Sequence, residues 1–238
     1  MVGIGPGGPL DRTRRAELAI SRSEVVIGYT RYLKLIDDLT AGKELIATGM
    51  TQEVERCRTA LDRASHGQNV CLVSSGDPGV YGMAGLVLEI SVALKSTVCI
   101  EIIPGVSSSN AAAARLGAPL MCDFATISLS DLLVPWETIR TRLEAVASAD
   151  LVTVLYNPRS KNRRKQLDEA AAIFRAVRPG TTPVGIGTAV GTDEEIVILS
   201  DLDNFLTLEI GMRSILIIGN TSSRHLENWF VTPRGYAL

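Results

Sequence analysis

The sequence predicts an α/β protein made of two unlike α/β domains with a cleft between them, and three observations carry that expectation. Short apolar runs alternate with amphipathic helix-like stretches through the first half. Three of those runs feed loops rich in Gly, Ser and Pro, at 3–9, 74–85 and 104–110, each ahead of a helix-like segment. Beyond residue 116 several strand-like runs follow one another with fewer long helices, the texture of a mixed, partly antiparallel sheet. The boundary is placed at the break in pattern after Leu116. Residues 1–116 then form a domain whose Gly-rich loops line the cleft, and residues 117–238 form a second domain that completes the ligand site.

Taken in order, the first half reads as strand 1–4, helix 12–21, strand 24–27, helix 31–39, strand 44–46, helix 51–65, strand 69–73, helix 86–94, strand 98–103 and helix 111–116. Thr51 is expected to cap the third helix and Gly67 to stop it. The second half reads as strand 124–129, helix 136–147, strand 151–156, helix 163–177, strands 182–188 and 195–199, a short helix 202–208 and a last strand 214–218. The loop after residue 73, Ser-Ser-Gly-Asp-Pro-Gly-Val-Tyr-Gly, is longer than the ~2–6 residues of a plain connection. Glycine there lets backbone approach a ligand, and Pro78 stiffens the turn. Three such loops at strand C-termini would line one edge of a parallel sheet, where α/β proteins bind ligands.

Composition narrows the function classes. The 238 residues carry 24 basic and 26 acidic side chains, which gives no electrostatic case for a nucleic-acid or membrane-surface partner. No apolar run approaches the ~20 residues of a membrane span. The first residues lack the charged-then-apolar form of a secretion signal, so a cytoplasmic protein is expected. Cys57, Cys71, Cys99 and Cys122 lie far apart and read as buried thiols, with no metal expected, and two histidines supply a triad poorly. Gly3, Gly5 and Gly8 match the dinucleotide pattern GxGxxG, which would suit a nicotinamide-dependent oxidoreductase. Pro6 and Pro9 crowd that turn, however, and the second strand ends in Gly28-Tyr29 where a ribose-binding acid belongs.

Gly3-Ile4-Gly5-Pro6-Gly7, Ser75-Gly76-Asp77-Pro78-Gly79-Val80-Tyr81 and Pro104-Gly105-Val106-Ser107-Ser108, in this order and spacing, resemble the tetrapyrrole methylase family, which uses S-adenosylmethionine. Ser128-Leu129-Ser130-Asp131-Leu132-Leu133, Leu155-Tyr156-Asn157-Pro158-Arg159-Ser160 and Ile217-Ile218-Gly219-Asn220 resemble the branch acting at carbon 17 of precorrin-3B or its cobalt-bearing counterpart. The resemblance implies methyl transfer with contraction of the macrocycle on the route to cobalamin, and a homodimer. There are two departures: the lead of Met1-Val2 is short, and Gly187-Thr188-Ala189-Val190-Gly191-Thr192 stands where the branch carries an Asn-Ala-Gly-Arg-like turn.

By that resemblance the cofactor would contact Gly5, Pro6, Ser75, Gly76, Asp77, Val80, Tyr81, Ser107, Ser108, Asn157, Thr188, Ala189 and Gly219. Asp77 either accepts a hydrogen bond from the methionine amino group or braces its own loop. Ser107 and Ser108 also suit a helix N-cap. A macrocycle edged by carboxylates calls for cations, and Arg159, Lys161, Arg163, Arg164 and Lys165 crowd a helix start, where positive charge opposes the dipole. Arg159, tied to the Tyr-Asn-Pro turn, is the preferred carboxylate ligand, with Ser130 assigned to the substrate as well; Lys161, Arg164 and Lys165 suit a solvated basic turn. Asp131, flanked by hydroxyls, is a candidate acid/base together with Ser128, or else a cap. Tyr81 suits either core or macrocycle contact, Trp136 suits core, and His225 falls in a polar tail.

Overall fold

In the first half, Val- and Ile-rich runs pair edge to edge. The computed structural model describes residues 1–160 and 162–237; Lys161 of the basic turn lies outside the described residues. Two compact units result, 1–108 with 191–193 and 109–190 with 194–238.

The first unit contains β1 (Val2–Gly3), α1 (Arg14–Arg22), β2 (Val25–Tyr29), α2 (Thr30–Lys34), β3 (Glu44–Thr48), α3 (Glu53–Ser65), β4 (Val70–Ser74) and α4 (Ala84–Ala93). Its sheet is parallel, in the order β1-β4-β2-β3. Alternate side chains of each strand leave by opposite faces. Val25, Ile27 and Leu72 therefore pack with Cys57, Leu61 and Val87, while Val26, Cys71 and Val73 pack with Ala16, Ile20 and Leu33. Burial on both faces explains why these strands read as unbroken apolar runs.

Four local expectations are corrected. Residues 98–103 make no regular strand: Ile103 alone bridges Val2, because β1 offers only two residues of ladder. The stretch 31–39 breaks into α2 and a 3-10 turn, with Ile36 between them at φ −130°. Thr51 does not cap α3; it lies at φ 64° and Gln52 takes the N-cap position, its Oε1 accepting from Gly49 N at 2.6 Å. Cys99 is exposed, whereas Cys57 and Cys71 are buried as expected.

The second unit begins within α5 (Ser108–Leu116) and continues through β5 (Gly117–Ala118), β6 (Phe124–Ser128), α6 (Trp136–Ser148), β7 (Val152–Tyr156), α7 (Lys165–Arg175), β8 (Pro183–Thr188), β9 (Ile196–Asp201), β10 (Ser214–Ile218), β11 (Arg224–Leu226) and β12 (Trp229–Val231). The main sheet is mixed as expected, in the order β6-β7-β10-β8-β9, with β6 parallel to β7 and the remaining pairs antiparallel. Leu143, Phe174, Phe205 and Leu216 anchor its core, and Trp136 packs against that core at its margin. The tail is more ordered than the sequence suggests: β11 and β12 form a hairpin that joins β5, with His225 in the exposed strand. No helix among the described residues is long and apolar enough to cross a membrane.

Burial pushes the Cys57 thiol from its ordinary 9.0 up to about 11 and that of Cys71 up to about 12. Both folded values exceed the unfolded one, so the folded state holds these protons more tightly. Their stabilising contribution is complete below pH 9 and is lost as pH rises through 11 and 12. Urea midpoints should fall steeply above pH 9, and Cys57→Ser/Cys71→Ser should flatten that fall. Alkylation of the native protein at pH 8 should modify Cys99 first and spare Cys57 and Cys71 until the chain unfolds.

Candidate active site

Three loops meet where the parallel strands of the first unit end. β1 lies between β4 and the segment carrying Ile103, so the chain leaving each of them emerges side by side. Gly5 and Gly76, at φ 77° and 62°, exchange backbone hydrogen bonds of 3.2 and 2.7 Å. A Cβ at Gly3 would sit 2.7 Å from Gly105 N, Gly76 O and Pro78 Cδ. Only glycine allows this approach of backbone to backbone. Asp77 extends the same junction, Oδ1 accepting from Gly79 N at 2.8 Å and Oδ2 from Gly105 N at 3.1 Å. Thr13 ties in the start of α1, its Oγ1 accepting from Ala16 N at 3.1 Å and donating to Pro104 O at 3.3 Å.

The candidates of the first unit are therefore brought together at one edge. Gly5 and Pro6 belong to the first loop, Ser75, Gly76, Asp77, Val80 and Tyr81 to the second, Ser107 and Ser108 to the third. Val80 and Tyr81 are exposed, and Tyr81 lies at φ 53°. Ser107 occupies the position before α5 and Ser108 is its first residue. Of the two roles open to Asp77, loop bracing is realised; each oxygen keeps a lone pair for a further donor. A cavity of about 740 Å³ lined by Arg15, Leu18, Asn69, Val98 and Cys99 opens at the other, N-terminal end of these strands.

The dinucleotide reading fails on this geometry. A 3-10 turn, Pro9–Asp11, stands between the glycines and α1, whose N-terminus is closed by Thr13 and carries Arg14 and Arg15. The pyrophosphate-binding pattern needs the helix to open directly from the glycine turn.

In the second unit the C-termini of β6, β7 and β8 share an edge. Ser128 Oγ accepts from Asn157 Nδ2 at 3.0 Å and from Ser130 N at 3.2 Å. Asn157, at φ 50°, turns the chain sharply after β7. Arg163 Nη2 donates to Asn157 O at 2.7 Å and Nη1 to Ser130 Oγ at 3.4 Å, joining two loops. Gln166 Nε2 donates to Asp131 Oδ2 at 2.7 Å, so Asp131 serves as an exposed loop anchor. Arg159 pairs with Asp168 at 2.7 Å, and the Nε atoms of Arg159 and Arg163 are buried without a hydrogen-bond partner among the described residues. Thr188 Oγ1 meets Ser214 Oγ at 2.8 Å, and Ala189, at φ 50°, donates its N–H to Arg213 O at 3.1 Å.

Gly219 does not join this edge. β10 runs antiparallel to β7 and β8, pairing Ser214 with Thr188 but Ile218 with Val184. Its C-terminus therefore lies about 17 Å away, one strand length, at the opposite end of the sheet. Gly219 is instead held by Pro183 O, which accepts its N–H at 2.8 Å, and by Arg178 Nη1, which donates to its carbonyl. Burial lowers the Arg178 pKa, opposed by neighbouring Asp150. Sequence reasoning missed the tie from Asp77 to Gly105 and the clamp by Arg163. The Asp-x-Gly turn signals the first bond of Asp77, while nothing local signals bonds made across loops.

A family model described as Tetrapyrrole (Corrin/Porphyrin) Methylases matches residues 1–205. The chain belongs to this family. It is 44% identical over 238 residues to a probable cobalt-factor III C(17)-methyltransferase of Salmonella typhimurium, covering 100% of this chain and 99% of that protein. It is also 44% identical over 240 residues to a cobalt-factor III methyltransferase of Priestia megaterium, where the match covers 99% of this chain but only 44% of the longer protein. Among solved structures, that of the methyltransferase CobJ superposes with a TM-score of 0.92 at 34% identity, covering 98% of each chain. The α/β architecture is thus the tetrapyrrole methylase one.

Substitutions at the loop junction test its construction. Gly3→Ala should destabilise by about 1–3 kcal/mol through forced overpacking. Gly85→Ala, with nothing within 4 Å of its Cβ and a place in α4, should stabilise by about 0.5–1 kcal/mol. Asp77→Asn should cost about 1–3 kcal/mol without any ligand present, by losing a charged acceptor for a backbone N–H. Urea denaturation of the three variants checks all of these.

Proposed function

We infer that this chain is an S-adenosylmethionine-dependent methyltransferase. Its reaction is methylation of carbon 17 of cobalt-factor III or its metal-free counterpart precorrin-3B, with ring contraction, on the route to cobalamin. The observation that carries the reading is the match to the Salmonella C(17)-methyltransferase, which covers both chains almost completely. The three-loop edge of the first unit supports donor binding: its glycine contacts hold the three loops together, and its exposed Val80 and Tyr81 offer apolar surface.

S-adenosylmethionine supplies a methyl group on a sulfonium, which transfers to carbon by in-line displacement without a protein nucleophile. The chain's work is then to hold and orient. Gly5, Pro6, Ser75, Gly76, Asp77, Val80, Tyr81, Ser107 and Ser108 are assigned to donor binding, together with Asn157, Thr188 and Ala189 from the second unit. Arg159 and Ser130 are assigned to the acceptor. The pairing of Arg159 supports this, since Asp168 engages only Nη2 of the guanidinium and leaves Nη1 as a donor for a substrate carboxylate. Ser128 keeps its hydroxyl proton to donate, and Asp131 is the carboxylate nearest it in sequence; these two are assigned to proton movement during contraction. A domain division near residue 116, a homodimer and a cytoplasmic location belong to the same proposal. Exposed Leu226 and Trp229 on the β11–β12 hairpin support the dimer, and four free cysteines support a reducing compartment.

Calorimetric titration should show saturable binding of S-adenosylmethionine and S-adenosylhomocysteine and none of NAD. Incubation with cobalt-factor III or precorrin-3B and methyl-labelled donor should place the label on carbon 17, read by NMR. Arg159→Gln should raise the KM for the tetrapyrrole about tenfold or more while leaving donor affinity unchanged. Binding of NAD in place of both adenosyl compounds would sink this assignment.

A further inference from the structure

Leu132 and Leu133 are 75% and 91% exposed, in a loop that is otherwise fastened down. Ahead of them, Leu129 is fully buried, Ser128 is bonded to Asn157, Ser130 to Arg163 and Asp131 to Gln166. Behind them, Val134 and Trp136 pack on the core, and Trp136 Nε1 donates to Glu169 Oε2 at 2.8 Å. Because both flanks are pinned, the two leucines cannot swing inward to find cover. A mobile polar tip would serve a plain connection better, since adjacent exposed leucines gain nothing from water.

We propose that Leu132 and Leu133 form an apolar lip that seats a face of the tetrapyrrole macrocycle and so determines acceptor affinity. Charge and shape argue for that occupant. The acceptor has flat apolar faces and a rim of carboxylates. The lip follows Asp131, whose carboxylate accepts from Gln166, and stands two residues beyond Ser130, which Arg163 bonds; Arg159 leaves the turn that Arg163 clamps. An apolar pair on a loop tied to Arg163 matches a ring edged by acids better than it matches a lipid tail or an uncharged helix. The proposal rests on the methyltransferase reading above, and it assigns the lip to the acceptor alone.

The test is the double variant Leu132→Ser/Leu133→Ser in the full chain, compared with wild type and with Leu132→Met/Leu133→Met. Steady-state turnover on cobalt-factor III, calorimetry with S-adenosylhomocysteine and sedimentation velocity would be measured for each. The serine pair should raise the KM for the tetrapyrrole at least about tenfold with little change in kcat. The methionine pair should restore it, while donor affinity and sedimentation stay at wild-type values. Since both side chains are exposed, the variants should fold. An unchanged KM in the serine variant overturns the lip and leaves the methyltransferase reading standing. A shift in sedimentation with equal loss for donor and acceptor overturns it too, and makes the pair a contact between copies of this chain. Absence of turnover by wild type overturns both readings.

Discussion

The site of the first unit depends on three glycines whose backbones touch. Gly76 O lies against both Gly3 and Gly105, closer than any side chain would permit, and the loops they belong to are thereby locked to one another. The rest of that edge follows from this contact. Asp77 reaches Gly105 N only because the second and third loops are adjacent, and Thr13 reaches Pro104 O only because the third loop is held over the start of α1. A loop edge so constrained is ordered before any ligand arrives, so little conformational entropy remains to be lost on binding.

The second unit solves the corresponding problem with side chains. Its edge is woven from two amides, two serine hydroxyls, two carboxylates and two guanidiniums, and the turn at Asn157 is held by Arg163. Such a web tolerates exchange of one polar group for another more readily than a glycine contact tolerates a methyl group. On this edge the left-handed backbones of Asn157 and Ala189 mark turns where a side chain is kept despite the strain a glycine would relieve.

Much of this architecture is legible in the residues. Alternation of apolar runs with helix-like stretches foretells the parallel sheet of the first unit, and the crowding of strands after residue 116 foretells the mixed one. The glycine loops are legible because so many glycines beside a rigid proline suit little except a close approach of backbones. What escapes is non-local. Residues 98–103 have strand composition, yet a ladder needs a partner of equal length and β1 has two residues. Gly219 carries a family-like motif, yet the direction of β10, set by its neighbours, puts it at the opposite end of the sheet from Thr188. Asp77 stands out in its loop without revealing its second partner, because Gly105 is 28 residues away.

The position of β10 bears on how the second unit comes together. It fills the central slot between β7 and β8, although it is the last strand of that sheet in the chain. Until residue 218 has been synthesised, β6–β7 and β8–β9 are separate two-stranded ribbons, each with an inner edge unpaired. The first unit needs only residue 193. The second unit is therefore the late, high-contact-order step on the ribosome, and its open inner edges are the aggregation-prone surface that a chaperone would meet.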